Sequence, residues 1–132
     1  MTDMTHAAEI HQAKMYDARL LQAHMDARML APKVKLPTDP AERKAVPIFS
    51  GFFAYFPDAI AAVAELSRIG NEQHNPGKPL HWDRAKSGDE LDALARHLVE
   101  AGTLDTDGVR HSTKVAWRAM ANLQKEIERD KP

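Results

Sequence analysis

The sequence predicts an all-α protein, a compact helical bundle with a long N-terminal helix. Three observations support this class. Apolar residues recur with the 3.6-residue helical period, Pro57 stands where a helix would begin, and Ser87-Gly88-Asp89-Glu90 matches a capping box. The pattern places three body helices near residues 57–72, 87–101 and 107–128.

Composition limits the classes of protein that are possible. The chain has 132 residues, which fits one domain with a modest core. Its net charge of −1 argues against general nucleic-acid binding, and the lack of cysteine excludes disulfides and thiolate zinc sites. No stretch approaches the roughly 18 apolar residues of a membrane span, and the N-terminus has no signal-peptide pattern. A cytoplasmic location is therefore expected.

Residues 1–31 form an N-terminal helical arm in this interpretation. Residues 3–31 contain neither Gly nor Pro, and they carry a broken apolar stripe of Ile10, Ala13, Leu20, Leu21, Met25 and Met29. The stripe has no obvious partner within the chain. We therefore expect a homo-oligomer, a dimer or tetramer, with the arm in the interface.

Residues 32–56 are predicted to be a connector. Its four prolines forbid a long helix, although 40–44 has room for one turn. Most of the chain's aromatic residues follow at 48–56, where they are expected to plug a small core. One ring, Tyr55 or Phe49, is a candidate for stacking on a nucleobase.

Residues 57–132 form the predicted nucleotide-binding body. In its first helix Pro57 suits the first position and Asp58 suits the positive end of the dipole. Glu65 and Glu72 are seven residues apart, so their carboxylates share one face.

The second body helix begins at the capping box and is stopped by Gly102. Its predicted buried stripe consists of Leu91, Leu94, Ala95 and Leu98. Asp89, Asp92 and Arg96 then point away from the core. Asp92 and Arg96 are four apart, so they are either part of a site or a surface ion pair.

The third body helix is predicted to begin after Asp107, a natural cap. Its inner stripe is Val109, Ala116, Met120, Leu123 and Ile127. His111, Lys114 and Arg118 share another face, which suits either a triphosphate or solvent.

Candidate site residues are concentrated between Glu65 and Arg118. Glu65, Glu72, Asp89, Asp92 and His97 are expected to gather in one cleft, with Arg96, His111, Lys114 and Arg118 nearby to hold phosphate. His97 and His111 are the better imidazole candidates, as a metal ligand or a general base. The carboxylates suit a hard cation with oxygen ligands.

Several motifs then resemble the N-terminal domain family of phage-type dATP/dGTP diphosphohydrolases. The resemblance covers roughly residues 42–125, and its most specific parts are Arg96-His97-Leu98 and the Asp-x-Asp-Gly-x-x-His run from Asp105 to His111. The other matching segments are Arg43-Lys44-Ala45-Val46-Pro47, Phe56-Pro57-Asp58-Ala59, residues 70–75 and Leu80-His81-Trp82. This family is related to MazG-like all-α NTP pyrophosphohydrolases.

The resemblance implies deoxynucleotide metabolism in a phage or prophage. In MazG-like enzymes Mg²⁺ is held by two acidic motifs. Glu65 and Glu72 are the substitutes for the first, and Asp89 with Asp92 fits the second. The implied function is a hydrolase that uses Mg²⁺ or Mn²⁺ and releases pyrophosphate, with Glu65, Asp92 and His97 catalytic. A nucleotide-binding or nucleotide-sequestering protein without catalysis remains the alternative, and a helical scaffold is a third.

Overall fold

The computed structural model of the protein describes Arg19 and residues 36–86 and 88–130. Within these residues the chain forms four α-helices, α1 (Pro40–Lys44), α2 (Pro57–His74), α3 (Glu90–Leu98) and α4 (His111–Asp130). A π-helical turn (Phe49–Phe53) precedes α2, and a 3-10 turn (Arg84–Lys86) precedes α3. The described part contains no strand, only one isolated bridge between Leu104 and Arg110. The all-α class is therefore confirmed, whereas the predicted helix over residues 3–31 lies outside the described residues.

Local sequence explains the starts of α1 and α2. The Asp39 carboxylate accepts hydrogen bonds from the backbone N–H groups of Ala41 and Glu42 at 3.0 and 2.9 Å, which caps α1. Pro57 occupies the first turn of α2, where a missing N–H costs nothing. Both starts agree with the sequence prediction.

Helix α2 continues through Gly70 and ends at His74, two residues beyond the predicted end near residue 72. A glycine inside a helix costs only about 1 kcal/mol, and the next residue, Asn71, is buried. The Asn71 amide donates to the carbonyl of Lys78 at 2.9 Å and accepts from the N–H of His81 at 3.3 Å. These bonds tie the last turn of α2 to the loop that follows and stabilise the extra residues.

Helix α3 begins at Glu90, and its N-cap Asp89 makes no capping hydrogen bond with its side chain. Ser87, the predicted cap, lies outside the described residues. Glu90 is itself buried, and its carboxylate accepts from Arg118 at 2.9 Å and from Lys125 at 3.0 Å on α4. The residue predicted to complete a capping box thus anchors one helix to another.

The predicted buried stripe of α3 is wrong for the described structure. Leu91 is 62% exposed and Leu98 is 55% exposed. The strip that faces α4 is instead the one that contains Glu90, Ala93 and His97. Both strips have helical spacing, so the pairing of Glu90 and His97 with groups on α4 decides the rotation of α3.

Apolar residues on α4 are also only partly covered. Met120, Leu123 and Ile127, from the predicted inner stripe, are each about half exposed. The buried apolar residues of the described part are two alanines, Ala93 and Ala121, each 4% exposed. The described residues alone therefore bury a very small apolar core.

Helix α4 is the centre of the described bundle, because both α2 and α3 pack against it. The indole of Trp117 on α4 donates to the hydroxyl of Ser67 on α2 at 2.9 Å. Trp82 lies edge-on to Trp117, with ring centroids 5.6 Å apart. The Arg84 guanidinium stacks on Trp82 and pairs with Glu128, so the 3-10 turn is fastened to α4. Trp82 therefore anchors its loop to α4.

The aromatic segment does not plug the core of the described part. Phe49 is 74% exposed and Tyr55 is 71% exposed, and the other three phenylalanines of the segment are between 38 and 51% exposed.

No single described helix is long and apolar enough to cross a membrane. Residues Pro40–Phe53 and Pro57–His74 meet that criterion by length and composition only as a pair, which is bent by 84°.

Candidate functional site

The candidate site lies where α3 turns back into α4. Gly102 and Gly108 adopt positive φ angles of 94° and 79°, which favour glycine because a side chain is strained there. The N–H of Asp105 donates to the carbonyl of Val109 at 2.8 Å, and the N–H of His111 donates to the carbonyl of Thr103 at 3.1 Å. This tight loop makes His111 the first residue of α4 and brings it opposite the end of α3.

His97 and His111 face each other across this junction. Their Nδ1 atoms are 2.9 Å apart, and their ring planes are tilted by 41°. His111 is 5% exposed. Because burial lowers the pKa of His97, with the charges of Lys114 and His111 acting in the same direction, the neutral form of that imidazole is favoured. A neutral imidazole has a nitrogen lone pair for a metal ion or a proton.

Asp105 and Asp107 share one ammonium group. The Lys114 Nζ lies 2.6 Å from the Asp105 carboxylate and 2.7 Å from that of Asp107. The hydrogen bond from Lys114, followed by that from the Thr106 N–H, lowers the pKa of Asp105 to about 2. Burial lowers the pKa of Lys114, but its bonds to the two carboxylates raise it more, so the net shift is upward. The three groups are therefore charged at neutral pH.

Three of these side chains are close enough to hold one metal ion. His97, Asp105 and His111 each offer a ligand atom, and all these atoms lie within 4.8 Å of one another. Two nitrogens that bind one octahedral ion at about 2.1 Å in adjacent positions stand about 3 Å apart, which agrees with the 2.9 Å between the two Nδ1 atoms. The residues therefore fit a metal ion bound by two imidazoles and a carboxylate.

The structure brings together part of the predicted site. His97, His111 and Lys114 meet at the α3–α4 junction. Arg118 lies about one helical turn after Lys114 on α4, where it binds Glu90. The charge of Arg118 also contributes to lowering the pKa of His97. His97 and three of the four predicted phosphate-binding residues, His111, Lys114 and Arg118, thus belong to one neighbourhood.

The predicted carboxylates have other partners or face solvent. Glu65 pairs with Arg68 on the exposed side of α2, and Asp89 pairs with Arg96 at 2.8 Å. Glu72 and Asp92 are exposed on α2 and α3. The arginines lower the pKa values of Glu65 and Asp89 through hydrogen bonds. Tyr55 lies in the exposed aromatic segment.

Two residues of this neighbourhood were not predicted to take part in the site. Asp105 belongs to a run that reads from sequence as a helix-capping turn, and Glu90 reads as a capping residue. The sequence feature that could have pointed to Asp105 is its position, eight residues after His97 and six before His111. This position places Asp105 near both histidines only if a tight loop joins the two helices.

Comparison with known proteins gives one match. The family model described as dATP/dGTP diphosphohydrolase, N-terminal, matches residues 40–131, which include every residue of the α3–α4 junction. No curated protein and no solved structure matches the chain. The matched region is well over half of the 132 residues. The chain therefore belongs to the dATP/dGTP diphosphohydrolase N-terminal family.

Proposed function

We propose that the protein is a metal-dependent hydrolase of deoxynucleoside triphosphates that releases pyrophosphate. The family supports a diphosphohydrolase-like activity on a nucleotide. The observation that carries the metal dependence is the convergence of His97, Asp105 and His111 within 4.8 Å. These residues come from α3, the loop and α4, so their proximity depends on how the loop turns α4 back against α3.

The donor set favours some metals over others. Mg²⁺ prefers oxygen ligands, whereas two imidazoles with one carboxylate suit Mn²⁺ and other transition metals. Of the two predicted cofactors, Mn²⁺ is the better match for this centre. When bound, such an ion supplies a Lewis acid for phosphoryl oxygen and lowers the pKa of bound water.

Protein groups around the centre provide the remaining chemistry. Lys114 is charged and lies against the candidate ligand Asp105, so it is placed to neutralise phosphate charge. Arg118 and Arg96 would extend this positive field along the two helices. The lowered pKa of His97 keeps its imidazole neutral, which is the form whose nitrogen lone pair binds a metal ion; a general base would have to be another group while the ion is bound. Tyr55 stays a prediction for base stacking.

The four carboxylates predicted from the sequence are an alternative set of metal ligands, and mutation can distinguish them from the first set. They are Glu65, Glu72, Asp89 and Asp92. Glu65 and Asp89 are engaged by arginines on their own helices. If this set binds the metal, the arginines must release both carboxylates first. The two versions differ in which single aspartate is essential, Asp105 or Asp92.

The test measures products and metal binding together. Purified protein is incubated with a panel of deoxynucleoside and ribonucleoside triphosphates with Mg²⁺ or Mn²⁺, and products are separated by HPLC. We expect monophosphate and pyrophosphate, strongest with Mn²⁺. Asp105→Asn should abolish turnover and weaken Mn²⁺ binding, measured by calorimetry, while Asp92→Asn should preserve both. The reverse result would favour the carboxylate set.

A nucleotide-binding protein without catalysis is the outcome if triphosphates bind intact and no product forms under any condition. A phage or prophage origin, a cytoplasmic location and homo-oligomeric assembly remain predictions from the sequence and from family resemblance.

A further inference from the structure

A run of uncharged apolar residues on the described part is exposed and continuous in sequence. This aromatic face lies between Val46 and Phe56, a stretch without a charged residue. Its exposed members are Val46, Ile48, Phe49, Phe52, Phe53, Tyr55 and Phe56, with exposed fractions of 38–74%. Scattered apolar residues are normal on protein surfaces, but a continuous group this large marks a contact surface.

The backbone beneath the aromatic face is well fixed. The N–H of Gly51 donates to the carbonyl of Pro47 at 2.7 Å, and the N–H of Ala54 donates to that of Phe49 at 2.8 Å. A side chain at position 51 would meet the Pro47 ring at 2.9 Å, so the turn packs tightly there. A fixed backbone loses little entropy when a partner binds.

The rings also support one another. Phe52 lies 5.7 Å from Phe53 and 6.1 Å from Phe56 between ring centroids, and Tyr55 lies 6.0 Å from Phe56 in an edge-to-face arrangement. Such contacts hold aromatic side chains in defined positions. These contacts join Phe52, Phe53, Tyr55 and Phe56 into one cluster within the aromatic face.

The exposed area is close to what one partner contributes to a stable dimer. Aromatic side chains present about 150–250 Å² each, so the exposed fractions of the five rings amount to about 550 Å², and Val46 and Ile48 add about 100 Å². A standard interface buries about 800 Å² per partner, while the largest apolar patch of a typical monomer is about 300–600 Å².

We propose that the aromatic face is a self-association surface and that its occupant is the same face of a second copy of this chain. A two-fold contact places a surface against itself, and a face without charges brings no like charges together. Aromatic residues are enriched in the cores of protein interfaces. The described part buries only two alanines as apolar core, so association would supply burial that these residues lack.

The first experiment measures the dimer dissociation constant by sedimentation equilibrium. Phe49→Ser/Tyr55→Ser removes the two most exposed rings, and we expect the dissociation constant to rise about tenfold or more. Val99→Ser/Leu104→Ser makes the same chemical change at residues that are 84% and 61% exposed elsewhere. We expect this control to leave the constant unchanged. A strictly monomeric wild type, or equal effects of both pairs, overturns the proposal.

A second experiment does not depend on the double variant folding. The chain has no cysteine, so Ala54→Cys places one thiol in the aromatic face and Ala101→Cys places one in the loop after α3. Maleimide labelling is followed across the concentrations over which the mass doubles. Labelling at position 54 should slow as dimer forms, whereas labelling at 101 should not. Slow labelling of the monomer shows that the chain's own residues cover the face, and equal labelling of monomer and dimer shows that the contact lies elsewhere. Either result overturns the proposal.

A third arm tests a lipid surface as the occupant. The protein is sedimented with vesicles of phosphatidylcholine, with and without phosphatidylglycerol. We expect it to stay in the supernatant. Vesicle binding that is lost in Phe49→Ser/Tyr55→Ser, together with a monomeric mass, would assign the face to membranes and reject self-association.

Discussion

The Nδ1 atoms of His97 and His111 lie 2.9 Å apart, although the residues are on different helices. Without a metal ion, a hydrogen bond at this distance needs a proton on one Nδ1 and a lone pair on the other, so the two Nδ1 atoms do not both carry a proton. The same separation suits two adjacent ligands of one ion. A proton and a metal ion therefore compete for this pair.

Replacing His111 should remove metal binding. We expect Mn²⁺ to raise the melting temperature of the wild type, because an ion that binds only the folded state stabilises it. His111→Ala should lose this increase, and chelator should have no effect on it. Thermal melts with Mn²⁺ or EDTA provide the measurement. His74→Ala, at an exposed histidine at the end of α2, is the matched control and should keep the wild-type response.

Removing the Lys114 ammonium should strengthen metal binding and weaken the fold. In Lys114→Met, Asp105 and Asp107 lose the charge that neutralises them, so a divalent cation has less competition. Charged hydrogen bonds contribute about 1.5–3 kcal/mol, and we expect a loss of that order in the free energy of unfolding without metal. Calorimetry and urea denaturation measure the two effects. Unchanged or weaker Mn²⁺ binding would show that Lys114 does not oppose the ion.

Acid should reveal the contribution of Asp105 to stability. Its pKa is about 2 in the folded protein and 3.8 ordinarily, so the folded state holds the proton less tightly than the unfolded state. The contribution is fully present above about pH 5 and is lost as the pH falls from there to about 2. In chelator, Asp105→Asn should therefore flatten the stability curve in this window. Denaturation midpoints between pH 2 and 6 give the measurement, and an unaltered curve would contradict it.

The buried Glu90 should matter more for stability than the exposed Asp89. Glu90→Gln leaves Arg118 and Lys125 facing a neutral amide inside the α3–α4 contact, and we expect about 3 kcal/mol of destabilisation. Asp89→Asn breaks a solvent-exposed pair with Arg96 and should destabilise the fold far less than Glu90→Gln. Urea denaturation compares the variants. Similar losses would mean that burial does not govern the strength of these pairs.

Sequence reasoning predicted where helices lie better than which side of each helix faces inward. Pro57 predicted the start of α2, and the 3.6-residue spacing of apolar residues predicted α3 and α4. Periodicity groups residues into strips, but α3 has two usable strips. The choice between Leu91 with Leu98 and Glu90 with His97 depends on what α4 presents to it. That information lies in a contact between distant positions.

The site, like the fold, could be predicted only in part from the sequence. His97, His111 and Lys114 were recognised because imidazoles and amines carry useful chemistry in any fold. Asp107 was interpreted as the cap of the last helix, since a carboxylate before a helix usually caps it, and Asp105 was given no role in the site. Its proximity to His97 depends on the loop that Gly102 and Gly108 allow, and single-residue preferences do not specify such a closure.

The short loop between α3 and α4 also has a kinetic consequence. All three candidate metal ligands lie between residues 97 and 111, so the chain closes only a small loop to bring them together. Contacts between residues that are close in sequence form early in folding. This helical hairpin is therefore expected to form before α2 docks, and a metal ion that binds it would stabilise it by holding the two helix ends together.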